Sequence, residues 1–187
     1  MTLDLSVLSD GELASLSIAG RQPAFAELMK RHRHPIYRLV VGNIGDADEA
    51  LDLVQETFIA AYRALPRYDH AKSMRSWLST IALNKCRDWL RRRRVRRFLR
   101  LLPADTDVAD IPEDRPLPDA QAADRQSLDH LARAVAELPT SLREPLVLHV
   151  LEGASQAEAA SILGISEKAV ETRVRRARIK LAERMRY

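Results

Sequence analysis

A chain of 187 residues with 46% apolar residues is long enough for one medium domain or two small ones, and too apolar for wholesale disorder. Its single cysteine, Cys86, excludes an internal disulfide and fits a reducing compartment, where a small buried hydrophobe is the ordinary role of such a residue. The net charge is only +4, and neither a basic leader nor an uncharged apolar run of about 18 residues is visible, so the sequence predicts no secretory signal and no membrane span.

Ser9-Asp-Gly-Glu12 has the form of a capping box and predicts a short helix carrying Leu13, Leu16 and Ile18, ended by Gly20. A second helix opens near Pro23 with Phe25, Leu28, Met29, Ile36, Leu39 and Val40 on its apolar side, and Pro35 inside it predicts a bend. His32 and His34 are two residues apart and point to different helix faces, which predicts a solvated basic surface and no shared metal.

From Asp46 the pattern strengthens. Leu51, Val54, Phe58, Ala61, Tyr62 and Leu65 recur every three or four residues, while Asp48, Glu49, Asp52, Gln55 and Glu56 make the opposite surface acidic. Acid near a helix start suits the helix dipole, and the same surface suits a basic or mixed partner; spacing alone leaves both open. Pro66 ends this helix, and a polar connection from Tyr68 to Met74 follows.

Trp77 to Arg97 is the most unusual stretch. Leu78, Ile81, Ala82, Cys86, Trp89 and Leu90 give an apolar stripe that runs into a block in which six of the seven residues from Arg91 to Arg97 are arginine. Guanidinium groups suit always-charged, bidentate contact with phosphate, so the helix is read as packing one side into a domain and offering the other to nucleic acid; a solvated charge run is the plain alternative. Tyr68, Met74 and Trp77 beside this helix are candidates to stack on an unpaired base, or equally to be core.

After Arg100 the composition changes abruptly. Leu101 to Gln126 carries four prolines and seven acidic residues without periodicity, and it reads as a flexible acidic linker that could fold back on the arginine block when no nucleic acid is bound. Beyond it, Leu128, Leu131, Val135 and Leu138 predict a helix ended by Pro139, and another runs from Thr140 to Gly153 with Pro145 awkwardly inside. Two serine-capped helices then meet at Leu163-Gly-Ile-Ser166, with Ala159, Ile162, Ile165, Val170 and Val174 where they would cross: a helix-turn-helix by spacing. Its second helix presents Lys168, Glu171, Thr172 and Arg175 toward base edges, with Arg173, Arg176 and Arg178 as phosphate contacts.

Three motifs in this order resemble an extracytoplasmic-function (ECF) sigma factor, the smallest class of bacterial RNA polymerase specificity subunits, over Phe25 to Met185. They are Asp52-Leu-Val-Gln-Glu-Thr-Phe58, Tyr68-Asp69 with Ser73-Met-Arg-Ser-Trp-Leu78 and Ile81-Ala-Leu-Asn84, and Leu138 to Leu181. Met74 and Leu83 stand where the family often has an aromatic residue and an arginine, and Pro145 also departs from the usual pattern. The resemblance implies an all-α fold of two small helical domains, an N-terminal helical bundle over residues 1–100 and a helix-turn-helix domain over 127–187, joined by the linker at 101–126. It implies that Asp48, Asp52, Gln55 and Glu56 hold core RNA polymerase through the clamp helices of its largest subunit. It further implies that Tyr68, Ser73, Met74, Arg75 and Trp77 take a base flipped from the minus-ten strand, with Asn84, Lys85, Asp88, Arg91 and Arg92 along that DNA. The minus-thirty-five element would meet Ser155, Ser166, Lys168, Glu171, Thr172, Arg173, Arg175, Arg176 and Arg178. No catalysis, metal or cofactor is implied; the partners are core polymerase, promoter DNA and an anti-sigma factor, in the cytoplasm. A stand-alone helix-turn-helix regulator would leave the acidic helix and the polar loop unused. A metal-dependent nuclease fails because the linker acids have no histidine or cysteine cluster to fix an ion.

Overall fold

A computed structural model describes residues 4–100 and 131–185, which are helical throughout with no strand among them. Helix α1 spans Asp10–Ile18, α2 Gln22–Ile44, α3 Ala47–Ala64 and α4 Met74–Arg100. Residues 131–136 form α5, α6 spans Thr140–Leu146, α7 Gln156–Leu163 and α8 Glu167–Arg184. The stretch expected to be a linker lies outside the described residues.

Local chemistry sets the helix ends. At α1 the Ser9 hydroxyl accepts from the Glu12 N–H at 3.3 Å while the Glu12 carboxylate accepts from the Ser9 N–H at 2.7 Å, the reciprocal box that the sequence predicts. Asp46 caps α3 by accepting from the Glu49 N–H at 3.1 Å, and Gly45 closes α2 at φ 70°, a backbone conformation that favours glycine. Pro35 is accommodated within α2, which continues to Ile44.

The N-terminal bundle packs α1, α3 and α4 against α2, with Leu28, Ile36, Leu39 and Val40 meeting Leu53, Phe58, Leu78, Ala82, Cys86 and Trp89. The face of α3 differs in phase from the expected one: Leu51 is 50% exposed and Leu53 is 2% exposed. At 100° per residue Leu51 aligns with Gln55, Ile59 and Tyr62 on the outer surface, whereas Ala50, Leu53, Val54, Thr57, Phe58 and Ala61 face α2 and α4. Met74 and Leu83, the two family departures, are both buried, which accounts for apolar side chains there.

The basic stretch Arg31 to His34 is not uniformly solvated. Arg31 donates to the backbone carbonyls of Leu5, Ser6 and Leu8 and to Asp10, and His32 Nε2 lies 2.8 Å from Asp10 Oδ2, so α2 fastens the segment before α1 through Arg31 and the start of α1 through both side chains. His34 and Arg33 remain exposed, as expected.

In the C-terminal half, Pro145 sits inside α6, where it supplies no N–H. The helical path nevertheless continues as a π-helical segment, Val147–Leu151, whose end is marked by the Glu152 N–H donating to Val147 O at 3.0 Å. Ser155 and Glu158 repeat the capping box at α7, and Gly164 turns the chain at φ 66° into α8, capped by Ser166. Ala159, Val170, Val174 and Ala177 are buried where α7 and α8 cross.

The two halves touch. The π-helical segment lies on α2 at Gly42, where a Cβ would come within 3.0 Å of Val147 Cγ1 and 3.3 Å of Leu151 Cδ1, so a side chain there would have to push those methyls aside. α7 packs near α4.

Candidate nucleic-acid interface

On α3, Asp48, Asp52 and Gln55 are exposed and Glu56 is half-buried, bound to Lys85 Nζ at 3.2 Å. Glu49 is engaged differently, accepting from Trp89 Nε1 at 2.8 Å and so tying the acidic helix to α4. Between them runs a groove of about 620 Å³ with Asp52 and Glu56 on one wall and Arg91, Arg92 and Arg96 on the other, floored by Leu53, Trp89 and Val95. The carboxylates expected to hold a protein partner and the arginines expected to hold DNA therefore share one groove. Arg93 leans over the Trp89 ring at 4.9 Å, a cation–π contact that orients the start of the arginine block.

The loop before α4 is pinned by its own polar groups. The Asp69 carboxylate accepts from the Ala71 N–H at 3.0 Å, the Tyr68 hydroxyl donates to Lys72 O at 2.5 Å, and Ser73 Oγ accepts from the Ser76 N–H at 3.1 Å at the head of the helix. Tyr68 is buried and lies 5.0 Å, centroid to centroid, from a half-buried Trp77, so Tyr68 and Met74 belong to the bundle wall in this arrangement while Ser73 and Arg75 are exposed. Along α4, Asn84, Asp88, Arg91 and Arg92 are exposed and Lys85 is half-buried; Asp88 holds Arg91 at 2.6 Å. Cys86 faces the opposite way, into the core, where burial pushes its thiol up to about 12.

On α8, Lys168, Glu171, Arg175, Arg176 and Arg178 are exposed, Thr172 and Arg173 are half-buried, and Ser155 and Ser166 sit exposed at the two helix caps. Lys168 binds Glu171 at 2.9 Å, which holds the Glu171 carboxyl below its ordinary range, and the Thr172 hydroxyl donates to Lys168 O at 2.8 Å. A helix with this cationic outer face, behind a tight glycine turn, has the shape and charge of a major-groove reader.

Ion pairs that the sequence does not announce join the halves. Arg38 donates from Nε and Nη2 to the two carboxylate oxygens of Glu152 at 3.0 and 3.2 Å, and Arg75 donates to the Glu152 carbonyl and reaches its carboxylate at 3.4 Å. Arg87 grips Glu144 with both bonds at 2.7 Å. These bonds raise the already high pKa of Arg38 and Arg87. No local pattern announces such pairs, whose members are distant in the sequence. Among the described residues there is no cluster of three His, Cys, Asp or Glu side chains able to hold a metal ion, and no helix long and apolar enough to cross a membrane.

Two helical units, one with an acidic helix beside a cationic one and the other a helix-turn-helix, fit the class of DNA-binding proteins that also dock on a protein partner. Comparison with known proteins narrows the class. The Sigma-70 region 2 family matches residues 28–96, and the Sigma-70, region 4 family matches residues 128–181. The chain is 40% identical over 177 residues to RNA polymerase sigma factor CnrH of Cupriavidus metallidurans, covering 93% of both chains, and 30% identical to ECF RNA polymerase sigma factor SigM of Mycobacterium tuberculosis, covering 96% of this chain and 86% of the relative. A solved structure of CnrH in complex with the cytosolic domain of CnrY superposes with a TM-score of 0.70 at 34% identity, covering 94% of this chain and 96% of that one. The chain belongs to the ECF RNA polymerase sigma factors. It is a subunit that binds core polymerase and directs promoter-specific initiation.

Proposed function

We propose that three surfaces divide this work. The acids of α3, exposed Asp48 and Asp52 and half-buried Glu56, dock with Gln55 on the clamp helices of the polymerase largest subunit. The loop from Asp69 to Arg75, together with Asn84, Lys85, Asp88, Arg91 and Arg92 of α4, receives the minus-ten strand. There the cost of unstacking a base, a few kcal/mol, is offset by stacking and phosphate contacts. Tyr68, Met74 and Trp77 form the back wall that shapes this loop. Helix α8 reads the minus-thirty-five duplex, with Lys168, Glu171, Thr172 and Arg175 toward bases and Arg173, Arg176 and Arg178 toward phosphates. Residues 1–100 and 127–187 are the corresponding domains. The protein acts in the cytoplasm and catalyses no reaction itself.

The observation that carries this reading is the groove in which Asp52 and Glu56 of α3 face Arg91 and Arg92 of α4, because it sets an acidic surface suited to a basic partner beside a cationic one suited to phosphate. CnrH, 34% identical in its solved complex, is held by the cytosolic domain of CnrY, and by likeness an anti-sigma factor restrains this chain until a signal releases it.

Charge reversal tests the docking assignment. Asp52→Lys with Glu56→Lys is expected to abolish capture of core polymerase in a pull-down while leaving the circular dichroism spectrum unchanged, since both side chains lie outside the core. Undiminished capture would refute the assignment.

A further inference from the structure

We infer that Asp10, gripped by Arg31 and His32, is a positioning residue for the minus-ten loop: the first turn of α1 is the wall on which residues 68–72 rest, and these two side chains hold that wall in place. The inference rests on the reading that the loop from Asp69 to Arg75 receives the minus-ten strand. It adds three residues of α1 and α2 that act on promoter DNA only through the loop.

The loop's internal bonds set its shape and leave its place open. The pairs Asp69 with Ala71, Tyr68 with Lys72 and Ser73 with Ser76 each join residues at most four apart. Place comes from neighbours outside the loop. The Tyr68 ring packs on Trp77 at 5.0 Å and on His70 at 5.1 Å, centroid to centroid. The His70 ring in turn rests on Gly11 of α1, where a Cβ would stand 3.4 Å from His70 Nδ1. Helix α1 also touches the turn Leu65–Arg67 that delivers the chain to Tyr68. Beside this contact a cleft of about 560 Å³ opens between His70 and Leu8, Ser9, Glu12 and Ser15. The loop is therefore not wedged by bulk packing on this side, and its place follows that of Gly11.

What fixes Gly11 is the residue before it. The buried Leu13 and Ala14 hold the body of α1 in the core, but the Asp10 carboxylate pins its first turn. Its Oδ1 accepts from Arg31 Nη1 at 3.0 Å, and its Oδ2 lies 2.8 Å from His32 Nε2. Arg31 and His32 are successive residues of α2, about 100° apart around it, so they take the two oxygens from two directions and fix the carboxylate's orientation. The pairs are also sheltered. The Asp10, Arg31 and His32 side chains are 30%, 25% and 12% exposed, unlike the fully solvated pairs that contribute little. Asp10 acts on the loop by its charge as well. Burial first, then the negative charges of Asp10 and Asp69, raise the pKa of the Tyr68 hydroxyl and keep it the donor to Lys72 O that closes the loop.

The test uses the full chain bound to core polymerase and one promoter that depends on it, supplied as a duplex and with its minus-ten region held open by mismatched pairs. Asp10→Ala is expected to lower transcription from the duplex about tenfold and from the opened template less than about threefold, because unstacking is already done there. Asp10→Asn, which still offers an acceptor to Arg31 and a donor to the other tautomer of His32, should recover most of the loss. Capture of core polymerase and binding of the minus-thirty-five duplex should not change. Hydrogen exchange in the free Asp10→Ala chain is expected to quicken at residues 68–72 and to stay slow in α2 and α4. Equal losses on both templates, no loss on the duplex, or unchanged exchange at 68–72 would overturn the inference. Arg75→Ala separates it from the reading beneath it. If that variant transcribes the duplex as the wild type does, the assignment of the loop to the minus-ten strand falls and the inference with it. Loss with Arg75→Ala and none with Asp10→Ala overturns the positioning role alone.

Discussion

Cys86 illustrates how one residue's setting decides its chemistry. Buried in the core of the N-terminal bundle, its thiol is pushed from 9.0 up to about 12 by loss of solvent, so the native protein keeps the proton where the unfolded chain releases it. The folded state then binds more protons between those values, and the thiol's contribution to stability is full below pH 9 and is lost as pH rises toward about 12. A thiol reagent at about pH 8 is expected to leave the native protein unlabelled and to label it fully in denaturant, since only the thiolate attacks; stoichiometric labelling of the native form would contradict this burial. The inert role was legible from the sequence, because a lone cysteine in an apolar stripe is ordinarily core. So were the capping boxes at Ser9 and Ser155, whose partners lie three residues away. The grip of Arg87 on Glu144 was not, because its partners are 57 residues apart and only the packed chain brings them together.

At the scale of the element, periodicity located every long helix but did not fix its phase. α3 offers two apolar stripes, one through Leu53 and Phe58 and another through Leu51, Ile59 and Tyr62, and the neighbours α2 and α4 decide which is buried. Pro145 was an obstacle in the sequence but is accommodated inside α6, and the π-helical segment that follows it is a pattern of hydrogen bonds that no spacing rule announces. The helix-turn-helix was legible in full, since caps, glycine turn and crossing residues all lie within one short stretch. Its outer face leads to a separable expectation. Arg175→Ala is expected to change minus-thirty-five preference, with about 1–3 kcal/mol of discrimination lost at one base pair. Arg178→Ala should weaken all sequences evenly and reduce the salt slope by about one. Binding isotherms on a panel of duplexes at several salt concentrations check both; identical behaviour of the two variants would mean that base and phosphate contacts are wrongly divided.

For the whole molecule, the sequence divided the chain into two helical units by a change of composition, and their contents follow from that division. What it left unseen is that the units meet. Gly42 and the glutamates at 144 and 152 read as ordinary helix residues until α2, α4 and the π-helical segment are placed side by side. The same elements carry Arg75, one of the residues proposed to meet the minus-ten strand. The most direct measurement is transcription in vitro by core polymerase, with and without the protein, on a library of upstream DNA from its own genome. The account predicts start sites that appear only when the protein is added, sharing one minus-ten and one minus-thirty-five motif. Absence of any such start site, with tight duplex binding by α8 intact, would contradict it.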